Sequence, residues 1–547
     1  MLAAVIAAVV AFVPVSQAAH HNSKKHHPRV LRVGKWKGIP GHYKSIQAAI
    51  NAAKPGDWIL VGPGDYHERA DHRKHRGPQP SHTPAGLIIS KSKIHLRGMN
   101  RGKVVVDGTK PGSPKCSRKA KNQDFGVKGS DGKPLGRNGI LAWKANGVSI
   151  DNLTACNFLA GAGSAGNEIW WNGGDGGGKI GLHNLEGSYL TSTSTFYKDA
   201  STAASYAIFS SNASGGSWDH MYASNMSDSN YYIGACQQVC NQVVDHVWSQ
   251  YSAQGYSGTN AGGRLVIKNS EFDHNQGGFT AGALNNDDWP SPQNGACPNN
   301  GTGPITHTYS CWVFQHNYVH DNNNPNVPGA GIASVVPVGT GLLLYGGRNN
   351  TLRDNRFVRN GAWAVAFLTY PDSETPPADA VAAHADCRGG VNLGPPSNAC
   401  VYDDWGNAVL HNTFGGNGWF KQKASPTGSN SSNGDIGEIT TFNAETNCYH
   451  NNVEQGGGQV TTSPAGLQQS KPVCDRHKVP GNGNTTMTND VVCDSQAIGA
   501  AIGNSTPCSP GSYYPRKTKT VMPPVPRGLK SMPNPCKGVP ANPWCRK

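Results

Sequence analysis

LVIKNSEFDHN, residues 265–275, decides how this chain folds, and kindred segments recur along it. VSIDNLTACN (148–157), WDHMYASN (218–225), VVDHVWSQ (243–250), VFQHNYVHDN (313–322), NTLRDNRFVRN (350–360) and NAVLHNTFGGN (407–417) share its grammar. An apolar residue precedes a polar pair, often with Asn or His; a second apolar residue comes two or three places on, then Asn or Gly. The anchors Phe272, Val319, Phe357 and Phe414 are each followed three residues later by Asn, namely Asn275, Asn322, Asn360 and Asn417. Alternation turns one row of side chains inward. Asn at a bend can stack on the Asn of the next coil and satisfy turn amides. The interval from Asp219 to Asp245 is 26 residues, close to one coil. Longer intervals imply inserted loops at 283–310 and 371–404.

Upstream, YKSIQAAINAAKPGDWILVGPGDYHE (43–68) reads as a short amphipathic helix with Ile46, Ala49, Ile50 and Ala53 on one face. Lys54-Pro55-Gly56-Asp57 ends it, and Trp58–Val61 forms a strand bounded by Gly62-Pro63-Gly64. This segment resembles the N-terminal cap of the pectate-lyase-like superfamily, whose helix plugs the open end of a solenoid that would otherwise expose core and strand edges. The expected fold is therefore all-β, a single-stranded right-handed parallel β-helix (the pectin-lyase-like solenoid) with an N-terminal capping helix. The chain divides into a signal peptide (1–18), a basic His/Lys-rich leader (19–42), and the cap with the first coils (43–137). β-Helix repeats with disulfide-clamped loops follow (138–465), then a C-terminal cap with a Pro-rich basic tail (466–547).

Composition agrees. Gly accounts for 69 of 547 residues and charged residues for 15%, which suits many tight turns rather than a helical or disordered chain. Met1–Val13 is nearly all apolar and is followed by the small-residue site Ser16-Gln17-Ala18, the pattern of an export signal. No later stretch is long and apolar enough to span a bilayer. Fourteen Cys, several close together (Cys236 and Cys240, Cys297 and Cys311, Cys387 and Cys400, Cys493 and Cys508, Cys536 and Cys545), fit local disulfides in an oxidising compartment. The expected location is outside the cell, as a secreted or cell-surface monomer.

The net charge of +14 is unevenly spread. Residues 1–147 hold 26 basic and 7 acidic residues, 148–509 hold 14 and 27, and 510–547 hold 8 and none. An acidic solenoid thus has two basic ends, which could hold an anionic polymer. Nucleic acid is not expected as a partner, because the basic stretches carry no reader motif.

Equivalent residues of successive coils stack about 4.8 Å apart, so the repeat locates candidate sites. Asp219-His220 and Asp245-His246 occupy matching registers, and Lys268-Asn269 the equivalent place on the next coil. The pair resembles the W-I-D-H strand of pectate lyases. That resemblance implies calcium held by Asp219 and Asp245 against uronate carboxylates, with Lys268 or Arg353 as base and His220 and His246 contacting substrate. The lyases' arginine-proline-arginine segment is not found. Asp273-His274 and His320-Asp321 fall one bend later and read as members of the turn ladder. Asp287-Asp288 and Asp403-Asp404, each followed by Trp (Trp289 and Trp405), suit glycoside hydrolysis, with paired carboxylates and an aromatic platform. Arg348, Arg353, Arg356 and Arg359 form a positive cluster, and Arg356 could clamp an acidic sugar.

The resemblance to the pectate-lyase-like superfamily implies a protein that acts on or binds polysaccharide, with a calcium-assisted lyase first among enzymes and a glycoside hydrolase as the variant. A non-catalytic glycan-binding surface solenoid is the alternative from a different class. No organic cofactor is expected.

Overall fold

A computed structural model describes residues 27–70, 84–282, 310–372, 391–420 and 430–546, apart from breaks at 164, 175–178, 237–238, 393–399, 476, 502–507 and 510. The chain is a right-handed parallel β-helix. Three long parallel sheets contain 12, 11 and 11 strands, and in each the hydrogen-bonded neighbour is normally the third strand along the chain. Sheet 1 opens with Val30–Val33, sheet 2 with Gly64–Tyr66 and sheet 3 with Ala85–Ile89. One coil therefore contributes one short strand to each sheet. The first strand lies within the stretch read as leader, so the solenoid starts before residue 43.

Inward side chains follow the expected alternation. Ile150, Trp218, Val244, Ile267, Phe314, Leu352 and Val409 stack inside sheet 1, and Phe272, Val319, Phe357 and Phe414 inside sheet 2, all with 0% exposure. The helix Ile46–Ala52 has Ser45 at its N-cap, accepting from Ala48 N–H, and its Ile46, Ala49 and Ile50 join the same apolar core. It packs on Val30–Val33, Trp58–Val61 and Ala85–Ile89, at the N-terminal end of the solenoid.

The corners explain the polar grammar. Where sheet 1 turns into sheet 2, one residue per coil is left-handed: Asn152, Tyr189, His220, His246, Asn269, His316, Asp354, His411 and Asn451 have φ between 49° and 56°. At the corner from sheet 2 to sheet 3 the same role falls to Asn225, Tyr251, His274, Asp321 and Arg359. Asn, Asp and His tolerate this conformation better than most residues, which is why the repeat places them there. The next residue forms a ladder. Asn317 N–H donates to Asn355 Oδ1, Asn355 N–H to Asn412 Oδ1 and Asn412 N–H to Asn452 Oδ1, each at 3.0 Å. Asn275, Asn322, Asn360 and Asn417 form the second ladder, and Asn350, Asn407 and Asn447 a third.

Disulfides join Cys116 to Cys156, Cys236 to Cys240, Cys448 to Cys474, Cys493 to Cys508 and Cys536 to Cys545. Among the described residues no helix is long and apolar enough to cross a membrane.

The C-terminal segment turns back along the solenoid. The helix Thr485–Asp494 packs Met487 and Val491 with Trp363, Phe420 and Tyr514 in a second apolar cluster. From there the chain runs towards the first coil. Val521 N–H donates to the Asn326 carbonyl, Asn225 Nδ2 to the Pro523 carbonyl, and Met532 N–H to Asn152 Oδ1. Arg97 donates to the Lys537 carbonyl, and Trp544 Nε1 to the Ile39 carbonyl. Trp544 is buried with Leu60 and Met99. Some thirty residues thus form a strap from the last coils to the first.

Asn355→Ala tests the ladder. It orphans the buried Asn317 N–H and the Phe314 carbonyl, which Asn355 now satisfies. With about 1–3 kcal/mol for each buried group left unpaired, the expected loss is about 3 kcal/mol, read as a lower urea midpoint with secondary structure retained below it.

Candidate functional site on the outer face of sheet 2

Sheet 1 presents the column that the repeat implied. Asp219 is the register partner of Asp245, Asp245 of Lys268, Lys268 of Gln315 and Gln315 of Arg353. His220 and His246 stand at the adjoining corner with rings stacked 4.8 Å apart, and Tyr189 stacks on His220. Each imidazole Nδ1 lies 2.7 Å from the carboxylate of the preceding Asp. Asp245 is further held by Lys268 Nζ at 3.2 Å and by Asn269 Nδ2, which donates at 2.9 Å.

Arg353 and Arg356 do not form one cluster, because the left-handed Asp354 separates them onto different sheets. Arg353 donates to Gln315 Oε1 on sheet 1, whereas Arg356 lies over the Tyr318 ring on sheet 2, 4.9 Å from its centroid. Trp405 is half-buried with the Arg348 guanidinium 5.0 Å from its ring, which commits one face of the indole to an internal cation–π contact. Asp403 accepts from the Thr441 and Phe442 N–H groups, and Asp404 from the Gly347 N–H, so both brace the backbone. Asp287, Asp288 and Trp289 lie outside the described residues.

A denser group occupies sheet 2, and it includes Asp273, His274, His320 and Asp321, which by sequence read as members of the turn ladder. Asp273 and His320 are register partners, as are Glu271 and Tyr318. Alternation around the inward Phe272 and Val319 directs all four to the outer face. Asp273 is 2% exposed and accepts from Trp248 Nε1 and from Gln250 Nε2, each at 2.7 Å, and pairs with His274 Nδ1. That arrangement fixes the carboxylate from three directions. His274 occupies the left-handed corner, its side chain 46% exposed, so its Nδ1 is anchored while the rest of the ring reaches solvent. Tyr251 precedes it on the same corner, with ring centroids 5.4 Å apart.

His320 is held at both nitrogens, by Glu271 Oε1 at 3.0 Å and by Asp321 Oδ2 at 2.7 Å. Arg359 in turn donates to Asp321. The bond to Asp273 raises the His274 pKa above its ordinary value, although burial opposes it. Burial pushes His320 down, but Glu271 and Asp321 outweigh it and leave the imidazole above its usual range. Burial pushes the Tyr251 phenol up, which keeps it protonated. The result is a half-exposed imidazole anchored at Nδ1, a phenol beside it, and a doubly paired imidazole on the next coil. Such a set can move a proton to or from a bound molecule.

The strap bounds this face. Tyr222, Ser224, Thr191 and Thr193 point outward from earlier strands of sheet 2, yet none is more than 3% exposed. Arg101 donates to Thr191 Oγ1 at 2.7 Å and to the strap's Lys530 carbonyl, closing the face at that end.

No family model matches the chain, and no curated protein matches it in sequence. Solved structures resemble it only distantly. The A-module of a mannuronan C-5 epimerase from Azotobacter vinelandii is 13% identical, with 76% of this chain and 90% of that chain covered and a TM-score of 0.39. An alginate lyase from Paenibacillus is 9% identical over 79% of this chain and 97% of its own, with a TM-score of 0.35. Pectate lyase Pel9A is 12% identical over 80% and 78%, with a TM-score of 0.35. Likeness at this level carries no functional argument. The fold assignment stands on the strand registers.

The raised His320 pKa gives a signed expectation. Its pairing contributes stability fully below the unfolded imidazole value of about 6.5 and loses it as pH rises through the higher folded value. His320→Gln should therefore cost most below pH ~6.5, with the gap to wild type narrowing at alkaline pH. Urea midpoints across that range read it, and a gap that widens with pH would contradict the assignment.

Proposed function

We propose that this protein acts on a polysaccharide lying along the outer face of sheet 2, with His274 as the group that transfers the proton. The observation that carries the reading is the Asp273–His274 dyad, whose carboxylate is fixed by Trp248 and Gln250 and whose imidazole is half-exposed. The chemistry best suited to it is β-elimination at a uronate residue. Neutral His274 takes the C5 proton, that electron pair forms the C4–C5 double bond, and the C4–O bond to the departing sugar breaks. The leaving oxygen takes a proton from Tyr251. The exposed guanidinium of Arg356 is placed on the same face to counter a sugar carboxylate, which makes the C5 proton more acidic. Secretion, suggested by the apolar N-terminal sequence and the disulfides, fits such a substrate.

A second reading rests on the sheet 1 column. There Asp219 and Asp245 would hold calcium, His220 and His246 would meet the sugar, and Lys268 or Arg353 would act as base. Calcium takes six to eight oxygen ligands. These two carboxylates already face two imidazoles, and Asp245 also faces an ammonium and an amide donor. That donor set does not fit a hard cation unless Lys268 moves away.

Polygalacturonate, alginate and pectin, each with calcium or chelator, distinguish these readings through ultraviolet absorbance of the unsaturated product. His274→Ala should lower turnover by about 10²–10⁴-fold. Wild-type turnover should rise with pH as His274 loses its proton, over a range above the ordinary imidazole value because its folded pKa is raised. Joint replacement Asp219→Ala and Asp245→Ala should leave turnover within about threefold of wild type, whereas a collapse reversed by excess calcium favours the second reading. New reducing ends without absorbance would indicate a hydrolase. Retention of the polymer without any product would indicate a binding protein.

A further inference from the structure

Residues 510–547 carry eight Lys and Arg and no Asp or Glu, and they dock on a body, 148–509, with 27 acidic residues against 14 basic. A strap held by charge would place its cations on carboxylates. Among the described residues, none of its Lys or Arg side chains forms an ion pair. The strap is held instead mainly through its backbone, by its two apolar ends, Tyr514 and Trp544, and by side-chain bonds of Arg516 and Lys517 to body carbonyls. Carbonyls of Pro523, Lys530 and Lys537 accept from Asn225, Arg101 and Arg97. N–H groups of Thr518, Val521 and Met532 donate to Asn326, Asn326 and Asn152. Arg516 and Lys517 donate to carbonyls of Cys493, Asp494 and Val327, whereas Lys519, Arg527, Lys530 and Lys537 are exposed with no side-chain hydrogen bond among the described residues.

The route of the strap matters as much as its charge. Its anchors at Asn326 and Asn225 lie on either side, in coil order, of the corner residues His274 and Tyr251. Residues 518–523 therefore pass along the corner that carries the dyad. Residues 523–531 then cross from Asn225, at the corner of sheets 2 and 3, to Arg101 and Asn152, at the corner of sheets 1 and 2. The strap is a side wall beside His274 and an end wall that runs from two coils before it, at Asn225, to four and five coils before it, at Asn152 and Arg101.

We propose that this strap is a substrate-contacting wall whose cations, Lys519 and Arg527 foremost, take carboxylate or sulfate groups of a polyanionic glycan on the sugars flanking His274. The inference rests on the preceding placement of the glycan on sheet 2. Backbone docking leaves the side chains at liberty, and cations left unpaired beside an acidic body are available to an anionic ligand. The end wall makes the groove one-sided, with little room before the dyad and open sheet beyond it.

Native gels cast with alginate, polygalacturonate, neutral hydroxyethyl cellulose or duplex DNA test this with the full chain. Wild type should be retarded by at least one acidic polysaccharide and not by the neutral polymer. The double variant Lys519→Glu with Arg527→Glu should weaken that retention by about tenfold or more, and Lys519→Arg with Arg527→Lys should restore it. Both variants change exposed side chains, and matching thermal midpoints confirm that the fold is intact. Unchanged retention in the charge-reversed variant, equal retention by the neutral polymer, absence of retention by both acidic polysaccharides, or stronger retention by DNA each overturn the proposal. His274→Ala should be retained like wild type. Should wild type be retained through the strap yet release no product, the catalytic reading falls and the strap proposal stands.

Discussion

Asn355, Asn412 and Asn452 each accept the backbone N–H of the previous ladder member at one corner of the solenoid, and the rest of the molecule depends on that stacking. A corner must turn the chain within one or two residues, which leaves amides and carbonyls that the sheets cannot pair. Buried without partners, each would cost about 1–3 kcal/mol. The Asn side chain supplies both an acceptor and a donor from one residue: Asn355 accepts from Asn317 and donates to the Phe314 carbonyl. Once corners stack in this way, strand registers are locked and every outward residue acquires a defined neighbour one coil away.

That locking turns a one-dimensional pattern into a site. A strand-end Asp followed by a left-handed His brings Nδ1 against its own neighbour's carboxylate, and the chain builds this device three times, at Asp219–His220, Asp245–His246 and Asp273–His274. Local geometry is alike in all three, so the surroundings set them apart. Asp219 and Asp245 are partly exposed, and Asp245 shares its charge with Lys268. Asp273 is buried beneath Trp248 and Gln250, donors from the preceding coil whose placement follows from register. A dyad whose carboxylate is held by two fixed donors is preorganised, whereas one at the open surface loses side-chain entropy for each productive geometry.

The ladder Asn275, Asn322, Asn360 and Asn417 and the column Asp219, Asp245 and Lys268 were legible in the sequence, because both follow from periodicity. The corner residues were legible as a class, since Asn, Asp and His share the tolerance for positive φ. What periodicity cannot show is which outward residues are covered. Asp273 and His320 share the bend of the turn ladder, and only the donors from Trp248 and Gln250 and the pairing with Glu271 distinguish them from it. A Trp248–Gln250 pair one coil before an Asp-His was the available signal. Trp405 illustrates the reverse case, an aromatic that looks free until Arg348 is seen against it. The strap was legible in composition alone, because Pro-rich extended chain has no period and its docking depends on partners hundreds of residues away.

Charge shows why the strap belongs with the site rather than with the scaffold. An acidic solenoid repels the anionic polymers that its groove would otherwise admit, and within a Debye length of about 8 Å that repulsion is felt along the whole face. Removing acidic residues from the body would sacrifice the Asp and Glu that orient His274 and His320. A separate basic segment resolves the conflict, provided that its cations are not consumed by the body itself. Anchoring through carbonyls and N–H groups, with Tyr514 and Trp544 as apolar pins, meets that condition, because it fixes the path of the strap without engaging the side chains of Lys519 and Arg527. The same backbone anchoring places Lys519 alongside the corner that carries His274.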